Sequence, residues 1–406
     1  MIKQLQTWLT LRNCIYLFSF IAGWPCVFFL LGWLPSYKIN YILLFIICFV
    51  YTFCKHYNAL PLPIVRIICI QCIIWAIYAL AYTDTSYFTR IFLLLITTLM
   101  LSIQHNEKDK YQFDRLYTFW ITLQVCLGTI GVLLVLNGFL EPLFEFKEFD
   151  GRPGYSFGLF TTNAYNPYFP GIVRNAGYFD EPGALAFWGI YALLLNKLFL
   201  QNKYVEYSLI IGLLSTLSLA YYIQLFIYLA FFYRKLGFKS LISIAIILSA
   251  FSILASYNNE MYDNTVGRME YNSETGTING DNRTELMINC LDIYLNHPIC
   301  GVGATELASP EYRKIYGFLG ANFFTSWASD GTIGGVITYL PLIYIFILGR
   351  RDKKMYITGL ILLIGYLQRP YDGTQLLYPL MTYTLLLGCI TLNHPNYCRL
   401  NTYSGT

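Results

Sequence analysis

A chain of 406 residues that is 56% hydrophobic and only 12% charged, with a mean hydropathy of +0.49, does not read as a water-soluble globular protein. Its apolar residues come in long unbroken runs, the mark of an all-α polytopic membrane protein. The net charge of +4 is small and its basic residues cluster in short connectors, so they argue orientation in a membrane rather than nucleic-acid binding.

Taken in order, the first apolar runs are Cys14 to Leu34, Tyr41 to Cys54, Leu62 to Tyr82, Arg90 to Ile103 and Leu116 to Leu140. Lys3 and Arg12 precede the first, and no small-residue cleavage site follows it, so this span is expected to stay as an anchor. Lys55-His56 and the Glu107 to Arg115 connector carry most of the positive charge, whereas Thr83-Asp84-Thr85 carries none. With the amino end inside, five crossings satisfy the positive-inside rule and place the loop at 141–181 outside. A sixth span follows, Pro182 to Leu200.

The run Tyr207 to Phe232 is long enough for one helix. A single crossing, however, would put either Lys197 and Lys203 or Arg234, Lys235 and Lys239 on the outer side. Two short crossings or a re-entrant hairpin fit better, with the bend near Ser215-Thr216-Leu217-Ser218, where hydroxyls can satisfy freed backbone groups. Leu241 to Ser256 leads out to a second large polar segment, 257–320. A further span ends at Arg350-Arg351-Asp352-Lys353-Lys354. The runs Tyr356 to Leu367 and Leu376 to Leu392 then flank a short outer turn with Arg369, Pro370 and Asp372. The expectation is a single integral membrane domain, 1–406, with about 12 transmembrane helices, both ends inside and two large outer loops.

Eleven cysteines do not amount to a redox framework, because most lie within apolar spans. Cys69 and Cys72 have CxxC spacing in a membrane helix without the His or acidic partners of a metal site. Cys290 and Cys300 share a polar segment and have the option of pairing if it is extracytoplasmic, though two small buried residues is the favoured reading. No metal or other cofactor is called for.

Chemistry concentrates in the two loops. The first, rich in Gly, Pro, Asn and aromatic residues, suits stacking on sugar rings and hydrogen bonding to hydroxyls, and equally a membrane interface that binds nothing. It ends in Arg174-Asn-Ala-Gly-Tyr-Phe-Asp-Glu-Pro182, one guanidinium and two carboxylates at the point of entry to a span. Such groups are costly in lipid and cheap at its edge, and the acidic pair before Pro182 is also a favourable helix start whatever the function. In the second loop an amphipathic helix is expected at 283–296. Asn282 is its cap, Glu285, Asn289, Asp292 and Asn296 form a polar stripe, and Arg283 in the first turn suits an anion or plain solvation.

The order Arg174-x-x-Gly177-x-x-x-Glu181-Pro182, then Arg283 in an amphipathic helix closed by Pro298-x-x-Gly301-x-Gly303, then Asn322 entering a span with Gly331-x-x-Gly334, resembles the bacterial O-antigen polymerase (Wzy) and O-antigen ligase superfamily. The likeness covers roughly 174–350 best. It implies a GT-C-like membrane glycosyltransferase in the bacterial inner membrane, active on its periplasmic face, where both large loops would lie. Donor and acceptor would be oligosaccharide repeat units on undecaprenyl pyrophosphate, with a Wzz-type chain-length regulator as partner and membrane lipid around it.

On that resemblance Arg174 and Arg283 are the expected pyrophosphate clamps and Arg369 a third, since planar guanidinium forks neutralise a departing pyrophosphate without a nucleotide-binding loop. Asn322 and Tyr178 complete the expected substrate-binding set. The general base is expected among Glu181, Asp180, Asp330 and Asp372, Glu181 first; the histidine that precedes the late asparagine in many relatives is Ala321 here. Two other activities stay open. One is a ligase moving finished glycan to lipid A core. The other is a flippase for the lipid-linked unit, which would favour charges such as Arg66 and Arg90 around a central cavity.

Overall fold

A computed structural model describes residues 10–55, 60–104, 106–147, 151–165, 173–233, 271–272, 277–278, 284–317, 319, 322–370 and 373–393. It is mostly helical. Among the described residues, six helices are long and apolar enough to cross a membrane: Tyr37–Cys54, Leu62–Ala81, Ser86–Ile103, Glu107–Leu136, Pro182–Leu200 and Thr325–Gly349. The chain is a helical membrane protein. The expected run Leu241 to Ser256, together with Asn282, Arg283 and Asp372, lies outside the described residues.

The first expected span is cut short. Helix α1 covers Leu11–Ile21, opened by Thr10, whose hydroxyl accepts from Asn13 N at 3.3 Å. It stops before Gly23 and Pro25, because a proline has no N–H for a helical ladder. Instead of continuing as helix to Leu34, the chain turns aside and pairs with the loop far downstream, with Cys26 bridged to Phe179. Helices α2 (Tyr37–Cys54), α3 (Leu62–Ala81) and α4 (Ser86–Ile103) follow the expected runs.

Helix α5, Glu107–Leu136, starts well before the expected Leu116. Asn106 caps it by accepting from Asp109 N at 2.7 Å, with Glu107 and Asp109 in the first turn, where the helix dipole favours acids. Ion pairs of Arg12 with Asp109 and of Lys110 with Asp114 hold this polar extension. At 30 residues it is about 45 Å long, more than the hydrocarbon core, so its charged end projects beyond the lipid.

The first loop carries a small antiparallel sheet in the order β1 (Phe144–Lys147), β2 (Pro153–Ser156), β3 (Thr161–Thr162), β4 (Asn175–Gly177). Phe157 and Phe160 stack at 4.8 Å and pack with Val132 and Val135 of α5. The loop is thereby seated on the end of a membrane helix. Helix α6, Pro182–Leu195, is continued by a π-turn at Asn196–Leu200.

Next come α7 (Lys203–Gly212), a 3₁₀ turn at Leu213–Thr216, and α8 (Leu219–Phe232). The break falls in the Ser215 to Ser218 stretch, as the charge argument requires. Leu217 takes a left-handed φ of +48°. Ser215 and Thr216 hydroxyls donate to the carbonyls of Gly212 and Leu213 at 2.6 and 2.7 Å, groups that a continuous helix would have satisfied itself. The two helices run antiparallel: Tyr222 bonds Leu214 O, Tyr221 bonds Ile210 O, and Tyr228 bonds Glu206, which also holds Lys197 at 2.8 Å. Lys203 and Tyr233 therefore end on one side. At about 15 and 21 Å, neither arm spans a hydrocarbon core of about 30 Å.

The second loop holds α9 (Thr284–Asn296), α10 (Ala304–Leu307) and α11 (Pro310–Tyr316). Cys290 is buried, Cys300 is exposed, and the two thiols are unpaired. The late span is α12 (Thr325–Thr338) followed by α13 (Leu340–Gly349), then α14 (Lys353–Gln368) and α15 (Leu377–Asn393). The two glycine motifs turn out to be one junction. Gly331 interrupts α12 at φ +64°, and a Cβ there would sit 2.3 Å from Ile299 O; a Cβ on Gly301 would sit 2.4 Å from Ser329 O. The segment after α9 threads this kink, and Gly303 N donates to Ser329 O at 2.7 Å.

Candidate functional site

The stretch Tyr178-Phe-Asp-Glu181 is fixed from three directions before any side chain is considered. Val27 N donates to Tyr178 O at 2.9 Å and Asp180 N donates to Pro25 O at 2.8 Å, so the turned-aside segment after α1 is its backbone partner. From α5, Gln124 Oε1 accepts from Tyr178 N at 2.7 Å, and from β3 the Thr161 hydroxyl donates to Gly177 O at 2.7 Å. Pro182 then starts α6 with its φ already set for a helix.

The Asp180 and Glu181 carboxyls converge on Arg369. This residue caps α14, its N–H donating to Gly365 O at 2.8 Å and its carbonyl accepting from the Tyr378 hydroxyl at 2.6 Å. Its Nη2 donates to Asp180 Oδ2 at 2.6 Å and its Nη1 to Glu181 Oε1. On the outer side Arg152, immediately before β2, brings Nη2 to 3.5 Å from Glu181 Oε2. Side-chain exposure rises in the order Asp180 (4%), Arg369 (14%), Glu181 (26%), Arg152 (57%), so the four groups form a path from the interior to the surface.

Burial dominates the titration of Asp180 and pushes it up to about 7; Arg369 pulls the other way, and the neighbouring Glu181 charge adds to the rise. Burial also works against the Arg369 cation, but the two carboxylates outweigh it and hold the guanidinium charged. A buried carboxyl that exchanges its proton near neutrality, beside a more exposed carboxylate, is an arrangement suited to proton transfer. Among the described residues, no three His, Cys, Asp or Glu side chains stand together as a metal site.

The other expected site residues lie elsewhere. Arg174 turns to the hairpin break, its Nε donating to Thr216 O at 2.8 Å and Nη2 to Leu217 O at 3.3 Å. Tyr178 packs into an aromatic group, stacked 4.5 Å from Phe28 and bonded through its hydroxyl to Gly158 O. Asn322 is fully buried and donates to Leu319 O at 3.0 Å while accepting from Phe324 N at 2.9 Å, which makes it a turn residue at the entry to α12.

Asp330 is sealed in a separate pair, accepting from Arg90 Nη1 at 2.6 Å and from the Tyr87 hydroxyl at 2.8 Å. Arg66 is exposed on α3, and Arg90 is spoken for by Asp330, so these two cations do not line a central cavity together. Arg152 is the residue of this site that the sequence left unmarked. Its one clue is the turn sequence Gly151-Arg-Pro-Gly154 after the alternating Phe144-Glu-Phe-Lys147.

Comparison of the chain with family models, with curated proteins and with solved structures finds no match.

Proposed function

We propose that the chain is a membrane glycosyltransferase of the O-antigen polymerase type, joining oligosaccharide repeat units carried on undecaprenyl pyrophosphate at the periplasmic face of a bacterial inner membrane. The observation that carries this reading is the Asp180, Glu181, Arg369 and Arg152 cluster, which sets two carboxyls against two guanidiniums where a large loop enters a span. The motif order from Arg174 to Gly334 supports it, and so does the placement of polar chemistry in loops between apolar helices.

In this reaction the acceptor hydroxyl oxygen bonds to the anomeric carbon of the donor sugar. The bond from that carbon to the pyrophosphate oxygen breaks, its electron pair leaves with the pyrophosphate, and the hydroxyl proton passes to a base. Glu181 is that base: it is the exposed member of the acidic pair, whereas Asp180 behind it is buried. Guanidinium groups at the same place stabilise the charge that develops on the leaving group. The twelve-span topology and the Wzz-type partner belong to the same proposal.

Lipopolysaccharide from a strain lacking the gene, complemented with the wild type or with Glu181→Ala, distinguishes the readings on a gel. Core bearing one repeat unit, restored to a ladder by the wild type and not by Glu181→Ala, is the expected result. Bare core with polymer still built on the carrier lipid would mean a ligase. Bare core with single lipid-linked units held inside would mean a flippase. A normal ladder from Glu181→Ala at equal expression overturns the role of that residue.

A further inference from the structure

Glu181 caps α6 through its backbone carbonyl, which accepts from Ala184 N at 3.0 Å, but its side chain makes no capping hydrogen bond. Its two oxygens point to two different arginines, Oε1 to Arg369 and Oε2 to Arg152. One small anion held between two guanidiniums is the way proteins seat a phosphate oxyanion. We infer that Glu181 fills, as a carboxylate stand-in, an anion seat between Arg152 and Arg369, and that the pyrophosphate end of the lipid-linked substrate displaces it on entry.

Three further observations bear on the seat. Within the Asp180–Arg369 pair, Asp180 Oδ1 and Arg369 Nε are buried and make no hydrogen bond among the described residues, so the guanidinium keeps an unmet donor there. A buried donor of this kind is costly to leave unmade, and a ligand with several oxygens satisfies it. Next to the seat is Gly183, where even a Cβ would meet Glu181 Oε1 only in ordinary contact at 3.4 Å, so the carboxylate is not walled in on that side. The two arginines also differ in the way a gate requires, Arg369 being anchored through Gly365 and Tyr378 while Arg152 stands at the exposed rim.

Charge favours exchange as well. The groups that face Asp180 are Arg369, Glu181 and, from the segment after α1, Cys26, and Tyr378 faces Arg369. With Asp180 titrating near 7, the cluster of two arginines and two carboxyls passes from neutral to net positive as pH falls through neutrality. An incoming pyrophosphate then meets a cationic seat, and the Glu181 carboxylate it releases is freed to act as base. Substrate arrival and base activation become one event.

The pyrophosphate identity rests on the proposed function, but the seat itself is read by binding alone. The full-length protein in lipid nanodiscs would be titrated with inorganic pyrophosphate by calorimetry at fixed ionic strength, as wild type, Glu181→Gln and Arg152→Ala. Removing the stand-in charge is expected to tighten binding roughly tenfold or more, and removing the rim arginine to weaken it by a similar factor. Equal or weaker binding by Glu181→Gln, unchanged binding by Arg152→Ala, or no binding by any of the three overturns the inference. Tighter binding by Glu181→Gln in a protein whose deletion leaves the lipopolysaccharide ladder intact would keep the seat and remove the polymerase. A lost ladder with unmoved binding would do the reverse.

Discussion

At Asp330 both carboxylate oxygens are engaged, one by Arg90 and one by Tyr87, and the guanidinium lies 4.6 Å from the Trp75 ring and 4.8 Å from that of Tyr87. At Asp180 one oxygen holds Arg369 and the other makes no hydrogen bond among the described residues, while Arg369 is shared with a second carboxylate that reaches solvent. The ingredients are the same, a carboxylate against an arginine at the end of membrane helices. The first arrangement is closed on itself and clamps α4 to the kink in α12. The second is left incomplete among the described residues and opens through Glu181 and Arg152 toward the surface, which is the arrangement expected of a site that binds something.

Breaking the closed pair has the largest expected effect. Asp330→Ala removes the carboxylate partner of a buried guanidinium and is expected to cost about 3–5 kcal/mol, read as a marked fall in the melting temperature of the detergent-solubilised protein. A variant as stable as wild type would show that the pair does not clamp the kink.

Arg174 is an intermediate case, a cation that holds two backbone carbonyls. Arg174→Ala removes its bonds to Thr216 O and Leu217 O and is expected to cost about 1.5–3 kcal/mol, with faster protease cleavage at the hairpin break. Unchanged stability and cleavage would return Arg174 to the list of ligand-binding arginines.

The smallest effect at any one step of measurement is the one specific to the open pair. A folded Asp180 keeps its proton up to about 7, whereas an unfolded aspartate releases it near ~4. Between those values the folded state binds more protons, so its stability falls as pH rises, by at most about 1.4 kcal/mol per pH unit from this group. Asp180→Asn is expected to flatten that slope in urea unfolding at stepped pH. A wild type that gains stability with rising pH on account of Asp180 would mean that Arg369, not burial, sets its titration.

Much of the membrane architecture was legible because lipid imposes a coarse rule that runs of apolar residues obey, as α2, α3, α4, α6 and α14 do. Even the break at Ser215 to Ser218 could be reasoned out, since basic residues on both flanks forbid one crossing. The end of α1 was readable in principle from Gly23 and Pro25, but composition alone makes Cys14 to Leu34 look like a span. The sheet from Phe144 to Gly177 escaped because strands of two to four residues carry little periodicity; only Phe144-Glu-Phe-Lys147 hints at it.

The site divides along the same line. Asp180 and Glu181 stand out beside Pro182, while Arg369 is 188 residues away from Glu181 in sequence and Arg90 is 240 from Asp330, separations over which no local pattern pairs residues. The glycines were visible as motifs, but their reason, two backbones in contact at Gly301 and Gly331, exists only in three dimensions.

The backbone of Pro25 and Val27, the carboxyls of Asp180 and Glu181, and the guanidinium of Arg369 all belong to one cluster, yet the ribosome delivers them early, midway and late. Until α14 has been inserted, the acidic pair lacks Arg369, the guanidinium that engages both of its carboxyls, and the cluster is incomplete. Biogenesis thus carries its own safeguard. A stalled or clipped polypeptide lacking its final helices cannot assemble the cluster, and only a molecule translated through α14 can.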